Sequence, residues 1–567
     1  MTQLGPSLRP RRVSPSQADQ HQRDGLKSAG AGRYEEAIVH FEKAAALRPG
    51  NSVVQFNLGL TFQQLKQIHQ AISAYQAALR VSPDFFAAWM NLAAAFLSAG
   101  RWSDAIVAAR SAIDLDPYHP NAYRLLANAL NGAQNRVTAQ QALRRAIEIE
   151  ADPFFKNLEN SVKSRKQGRL NEAWRFSQAA MQIHPHHPLA LFNQGLHRLA
   201  QNQIQDALVC LYQAAEFTPQ RAEIWTEIGH ALMSLNALKE APKAYRQALE
   251  CNPNWSAAHY GLAQAQLANG NLEQAWPEFE ARWSAGGPRY CKVPVWSGEE
   301  LKGQRILLYC EQGLGDMIQF VRYAPLVADR GGSVLIECPG ALVRILQTVA
   351  GVQSVFALGD PPPDFDVQAS VFALPRLFQT TLQNIPGQAA YVSVPPACAV
   401  ALPELPPAWL KVGLVWAGSG GLEWGLSRSI PLTELKSIWS MPDVAFYSLQ
   451  VKAAVKHLNE VPGADRICDL SAQLTNLAAT ASAIQQLDLV ITVDTSVAHL
   501  AGALGKPVWV LLPFATGWRW MIDRSNSPWY PSMRLFRQRE RGDWRGIVRE
   551  MRKEFTALKK RSAPVVT

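Results

Sequence analysis

At 567 residues the chain is too long for one hydrophobic core, and 48% hydrophobic residues suffice for two to four folded domains. Seven scattered cysteines, at 210, 251, 291, 310, 338, 398 and 468, never fall at CxxC spacing, so neither a disulfide framework nor a cysteine zinc site organises the fold; they read as buried thiols in a reducing cytoplasm. Of the net charge of +10, Arg534 to Arg561 carries +7 (11 Lys/Arg against 4 Asp/Glu), which reads as the solvated face of a terminal helix, because the aromatic interleaving of a nucleic-acid site is missing.

Residues 1–17, rich in Pro, Arg, Ser and Gln, read as disordered. They lack an apolar h-region, and no apolar run reaches about 18 residues, so neither a secretory signal nor a transmembrane helix is expected and the reading is cytoplasmic. From there a repeat takes over. Ala37, Ala71, Ala105, Ala139, Ala173, Ala207, Ala241 and Ala275 fall 34 residues apart. Seven positions on lie Ala44, Ala78, Ala112, Ala146, Ala180, Ala214 and Ala248, and twelve positions on lie Pro49, Pro83, Pro117, Pro185, Pro219 and Pro253. Small residues let paired helices approach, and the proline stops the second. Gly59, Gly195 and Gly229 mark the closest approach. One unit departs, with Ala151 where the proline is due and Pro153 two residues later. The 34-residue pattern resembles the tetratricopeptide repeat, over 18–285, as seven full units and a shortened eighth.

Stacked hairpins form a superhelix whose concave groove suits an extended peptide, so a protein or peptide partner is expected. Asn57, Asn91 and Asn193 share one repeat position, where amides can bond a peptide backbone without reading its sequence. This ladder resembles that of the nucleocytoplasmic O-linked N-acetylglucosamine transferases; packing alone is the competing reason for asparagine there.

After residue 285 short apolar runs alternate with helical stretches. "RILLYC", "SVLIEC", "FDVQASVFAL", "KVGLVWAG", "VAFYSLQ", "LVITVD" and "PVWVLLP" read as buried parallel strands. About 280 residues suit two such sheets, with the proline-rich 395–409 as linker. The expected fold is an all-α repeat superhelix followed by two Rossmann-like domains facing a cleft, the GT-B architecture, at 286–404 and 405–567. Ligands belong at the carboxyl ends of the strands.

There the sequence places "EQGLGD". Gly313 and Gly315 remove side chains so that a substrate can approach the backbone, and Asp316 opens a helix. It reads either as a proton-accepting carboxylate or as an N-cap. In "LVITVDTSVAHLAGALGKPVWVLLP", Asp494 ends a strand, and Thr495 and Ser496 start a helix suited to a diphosphate. His499, one turn in, can donate a hydrogen bond or positive charge to the same anion, or be a satisfied core histidine.

Together these segments, "KVGLVWAGS", "EFEARW", "RSIPL", "WRW" and "SPWYP" resemble the bacterial heptosyltransferases and their family 9 glycosyltransferase relatives over about 300–540, and more closely a bacterial subgroup in which tetratricopeptide repeats precede the transferase domain. The resemblance implies an inverting transferase without metal or cofactor, using a nucleotide-diphosphate sugar. Asp316 would be the general base. Asp494, Thr495, Ser496 and His499 would hold the diphosphate, balanced by Arg428. Two segments depart from the family. "SGGLEWGLS" lacks the usual cations, and "LLPFATGWRW" replaces a glycine-proline-threonine turn, so a heptose donor is not implied. The Asp364-Phe365-Asp366 triplet imitates a metal-binding DxD but lies far in sequence from the phosphate unit. A protein hydroxyl delivered along the groove, a glycan or lipid-linked acceptor, and a scaffold with a degenerate transferase domain all remain open. Sugar, nucleotide and oligomeric state are not encoded legibly.

Overall fold

The computed structural model describes residues 17–48, 50–285, 289–290, 293–311, 313–387, 390–403, 410–418 and 428–562. Pro49, the N-terminal 16 residues and the "SGGLEWGLS" segment from 419 to 427 lie outside them. The chain forms two compact units. One comprises Met1–Leu262 with Glu278–Lys292, the other Ala263–Pro277 with Val293–Thr567. Residues 263–277 thus cluster with the α/β unit.

Helices pair from α1 (Gln17–Gly30) and α2 (Tyr34–Leu47) onward in the expected register. All eight alanines of the 34-residue series are at most 1% exposed, as are the seven that follow them by seven positions. Second helices end at Val81, Leu115, Ile183, Phe217 and Cys251, each two residues before its proline. The carbonyl of that proline then caps the next hairpin: Pro83 accepts from the Trp89 indole at 2.7 Å, Pro117 from the Tyr123 hydroxyl at 3.0 Å, and Pro219 from the Trp225 indole at 2.8 Å. The irregular unit has a physical cause. Without its proline the helix runs on to Ala151, and Asp152 caps the next helix by accepting from the Phe154 amide at 2.8 Å.

The glycines mark close approaches. A Cβ at Gly59 would lie 2.4 Å from the Tyr75 ring, one at Gly195 2.8 Å from Leu211, and one at Gly229 2.5 Å from Tyr245. Gly229→Ala is expected to lower stability by about 1–3 kcal/mol through overpacking. Thermal unfolding of the full chain checks this, and an unchanged melting temperature would show that the Tyr245 ring swings aside freely.

The second unit carries two parallel sheets. The first has strand order β3-β2-β1-β4, with β1 at Arg305–Tyr309, β2 at Ser333–Cys338, β3 at Val352–Ala357 and β4 at Val367–Ser370. The second has order β10-β9-β8-β5-β6-β7, with β5 at Leu410–Val415, β6 at Val444–Ser448, β7 at Ile467–Asp469, β8 at Leu489–Val493, β9 at Val508–Leu512 and β10 at Met533–Arg537. In order of appearance this second sheet is the 3-2-1-4-5-6 Rossmann arrangement, whose direction reverses between β5 and β8. The first sheet reverses between β1 and β4.

One device starts both reversals. Asp366, at the foot of β4, accepts from the Arg305 amide at 2.7 Å, and Asp488, at the foot of β8, accepts from the Lys411 amide at 2.7 Å. This gives the DxD-like triplet a structural explanation: Asp366 ties strand beginnings together, at the end of the sheet opposite a ligand crevice. Residues 294–296 extend the first sheet past β4, with Gln368 donating to the Pro294 carbonyl at 3.0 Å and Trp296 to the Gln368 carbonyl at 2.8 Å. The basic terminal helix (Trp544–Ser562) buries Trp544, Ile547, Val548, Met551 and Phe555 in the core of the second sheet.

Candidate functional site

Both crevices are built at the upper ends of the reversal strands. After β1 the chain turns through Gly313 into helix α17 (Leu314–Phe320), and the Gly313 amide donates to Asp316 Oδ2 at 3.2 Å. Gly313 is thus the N-cap, and Asp316, third in the helix, reaches back to its amide as in a capping box and is not itself the N-cap; Oδ1 is left for other work. It pairs with the guanidinium of Arg519, from the segment between β9 and β10. Arg519 lies over the Trp518 ring, 4.6 Å from its centroid.

After β8, Thr495 precedes the helix Ser496–Ala503, here α18. Its first turn is only partly open, because the Ala498 amide donates to the Thr495 carbonyl at 3.1 Å; the Thr495 hydroxyl bonds that of Thr492 at 3.0 Å. Arg428 Nη1 stands 3.6 Å from Asp494 Oδ2, so the structure brings these two residues, 66 positions apart, together beside α18. The root of the 419–427 segment is fixed at the same place. Ser429 accepts from the Gly418 amide at 3.3 Å, and Ile430 donates to the Trp416 carbonyl at 2.9 Å. Buried Gln450 shapes the turn after β5, accepting from the Trp416 and Ala417 amides at 3.2 and 3.0 Å.

Of the two places open to His499 in the sequence, anion contact or core, the structure gives it the core. It is 4% exposed, bonds the Tyr530 hydroxyl through Nδ1 at 2.9 Å, and packs on Trp520 with ring centroids 5.3 Å apart. Burial pushes its pKa down to about 3, helped by the Arg519 and Arg322 charges, so at neutral pH it brings no positive charge to an anion. Its ring instead explains Gly315. A Cβ there would lie 2.6 Å from His499 Cδ2, so the glycine lets the first turns of α17 and α18 touch, whereas the sequence reading gave that space to a substrate. Gly313 has an extended backbone, φ −72° and ψ 169°, open to any residue.

Sequence reasoning missed Arg519 and Gln319. The "WRW" triplet was visible, but only the fold carries its arginine back to Asp316. Gln319 shares a face of α17 with Asp316, one turn on, is fully buried, and has no protein partner for either amide atom among the described residues. Arg322, just beyond α17, is also buried. It donates to the carbonyls of Gln319 at 2.7 Å, Trp529 at 2.6 Å and Pro386 at 3.4 Å and to the Tyr391 hydroxyl at 2.9 Å, while Tyr391 and Tyr530 rings cover it.

In the repeats, Asn91 and Asn193 spend a donor on their own helix, at the Ala87 carbonyl (2.8 Å) and the Leu189 carbonyl (3.0 Å). With Asn57 they are half-buried, and their side-chain oxygens are the atoms suited to a peptide N–H.

Comparison with known proteins finds likenesses in both parts of the chain. Residues 56–120, 95–154 and 229–270 match tetratricopeptide repeat families, and residues 450–512 match glycosyltransferase family 9 (heptosyltransferase). The last match spans β7 to β9 and includes α18. The chain is 25% identical over 433 residues to protein FlbA of Caulobacter vibrioides, covering 63% of this chain and 71% of FlbA. It is 40% identical over 70 residues to tetratricopeptide repeat protein 21B of Mus musculus, 12% of this chain and 5% of that protein. Solved structures with some likeness include MamA, at 23% identity over 24% of this chain and 78% of that one with a TM-score of 0.23, and the Cut9–Hcn1 hetero-tetramer of the APC/C, at 17% identity over 46% and 52% with a TM-score of 0.24. No described helix is long and apolar enough to cross a membrane. The chain thus carries tetratricopeptide repeats across its N-terminal region and, nearer its C-terminus, a segment that matches glycosyltransferase family 9.

Proposed function

We propose that the α/β unit is an inverting, metal-independent glycosyltransferase acting from a nucleotide-diphosphate sugar onto a hydroxyl, with Asp316 as general base. The observation that carries this reading is the meeting of α17 and α18 through Gly315 and His499. It brings a carboxylate at the top of one reversal and a helix start at the top of the other into one neighbourhood.

Asp316 takes the proton of the acceptor hydroxyl, and that oxygen bonds to the anomeric carbon from the face opposite the leaving group. The carbon–oxygen bond to the diphosphate breaks, and the nucleoside diphosphate leaves with the electron pair. Its charge is met by the positive end of α18, the amides and hydroxyls of Thr495 and Ser496, and Arg428, which Asp494 steers. Arg519 is the second cation in reach of this chemistry. A diphosphate competes for its guanidinium and releases the Asp316 carboxylate for proton transfer. The repeats hold the acceptor as an extended protein segment, with Asn57, Asn91 and Asn193 bonding its backbone.

Thermal-shift screening of the full chain against nucleotide-diphosphate sugars identifies the donor, since a ligand bound by the native state raises the melting temperature. Calorimetry then compares Arg428→Ala and Arg519→Ala. Each charge-assisted contact is worth about 1.5–3 kcal/mol, so either variant is expected to bind the donor about 10- to 150-fold more weakly. Wild-type affinity in both places the diphosphate elsewhere, and a wild-type chain that binds no nucleotide sugar sinks the reading in favour of a scaffold.

A further inference from the structure

The first hairpin carries a cluster unrelated to the transferase chemistry. His21 and Asp24 lie one turn apart on α1, sharing a face, and His40 comes from α2. Beside them Gly25 lets the two helices close up: a Cβ there would lie 2.7 Å from the Phe41 ring, and Phe41 follows His40. The close approach leaves His21 Nδ1 and His40 Nδ1 3.2 Å apart, with the rings tilted at 42°. An Asp24 carboxylate oxygen lies within 4.8 Å of both ligand nitrogens, and Gln20 Nε2 donates to Asp24 Oδ1 at 2.9 Å, orienting the carboxylate. Among the described residues this is the one group of three or more His, Cys, Asp or Glu side chains close enough to share an ion.

We propose that His21, His40 and Asp24 bind a divalent transition metal ion of the zinc class, stapling the first repeat hairpin. Two nitrogens at about 2.0–2.1 Å from a tetrahedral zinc stand about 3.3–3.4 Å apart, close to the spacing found here. Two imidazoles and a carboxylate form the mixed nitrogen–oxygen set that zinc accepts, with a water as fourth ligand. Magnesium, which demands octahedral oxygen ligands, does not fit. All three side chains are partly exposed, so the ion can enter from solvent. A metal joining α1 to α2 favours the folded hairpin, because the unfolded chain does not hold the ligands together.

The test uses chelator-treated full-length protein, titrated with zinc chloride by calorimetry and followed by thermal unfolding, with magnesium chloride as control. One zinc equivalent is expected to bind wild type and to raise its melting temperature. That equivalent is expected to weaken at least tenfold in His21→Ala and in Asp24→Asn, and to persist in His69→Ala, which removes an exposed histidine elsewhere in the array. Circular dichroism of the metal-free variants separates lost ligation from lost folding. Zinc binding identical across wild type and all variants overturns the assignment, as does a wild-type protein that binds no equivalent.

Discussion

Asp316→Asn is expected to reduce turnover about 10²- to 10⁴-fold, the usual range for losing a general base, while leaving the fold intact. The amide keeps the size of the side chain, and its oxygen can still accept from the Gly313 amide, which now donates to Asp316 Oδ2. What it cannot do is take a proton, or hold the guanidinium of Arg519 by charge. Donor affinity should therefore stay within a few-fold of wild type, or rise if Arg519 is freed for the diphosphate. Single-turnover rates with the donor found by screening, alongside calorimetric titration, check both arms. A variant that transfers sugar at the wild-type rate would leave Asp316 as a helix cap only.

Arg322→Met is expected to cause the largest loss of stability in the α/β unit. The guanidinium is 2% exposed and has no carboxylate partner among its hydrogen bonds; carbonyls of Gln319, Trp529 and Pro386 and the Tyr391 hydroxyl receive its protons instead. Trp529 lies beyond β9, so the contacts tie the α17 region of the first sheet to the chain of the second. Methionine fills part of the volume but strands several buried acceptors, each costing about 1–3 kcal/mol. A total of about 3–5 kcal/mol, a severe effect for a single residue, is the expectation. Denaturant unfolding measures it. Arg322→Lys should fall between the two, since an ammonium cannot reach four separated acceptors. Wild-type stability in the methionine variant would show that these carbonyls find other partners.

The sequence by itself determined the repeat array and the central strands, for one reason: both are written as local periodicity. A 34-residue spacing of alanines survives because each hairpin must pack on its neighbour through the same small contact, and every alanine of that series is buried. Strands β1, β2, β5, β6, β8 and β9 read as continuous apolar runs because both faces of a parallel sheet are covered. The missed strands β3, β7 and β10 are all sheet edges. There, half-exposed polar residues break the run, as in Val352–Ala357, or arginines do, as in Met533–Arg537. Local sequence also marked Asp316 and the Asp494–Ser496 turn, since strand ends and helix starts have their own residue preferences.

Only the tertiary structure decided what surrounds those residues. That Arg519 pairs with Asp316 across 203 positions and that Gly315 serves the His499 ring are outcomes of how two sheets pack, and Arg428 meets Asp494 because β5 and β8 are neighbours in the second sheet. The protonation of His499 followed in the same way. In sequence it reads either as an anion contact or as a core histidine, and it is burial beside two arginines, a property of the packed interior, that disfavours its charged form. The histidine pair of the first hairpin was equally invisible, because His21 and His40 become neighbours only when α1 and α2 close over Gly25.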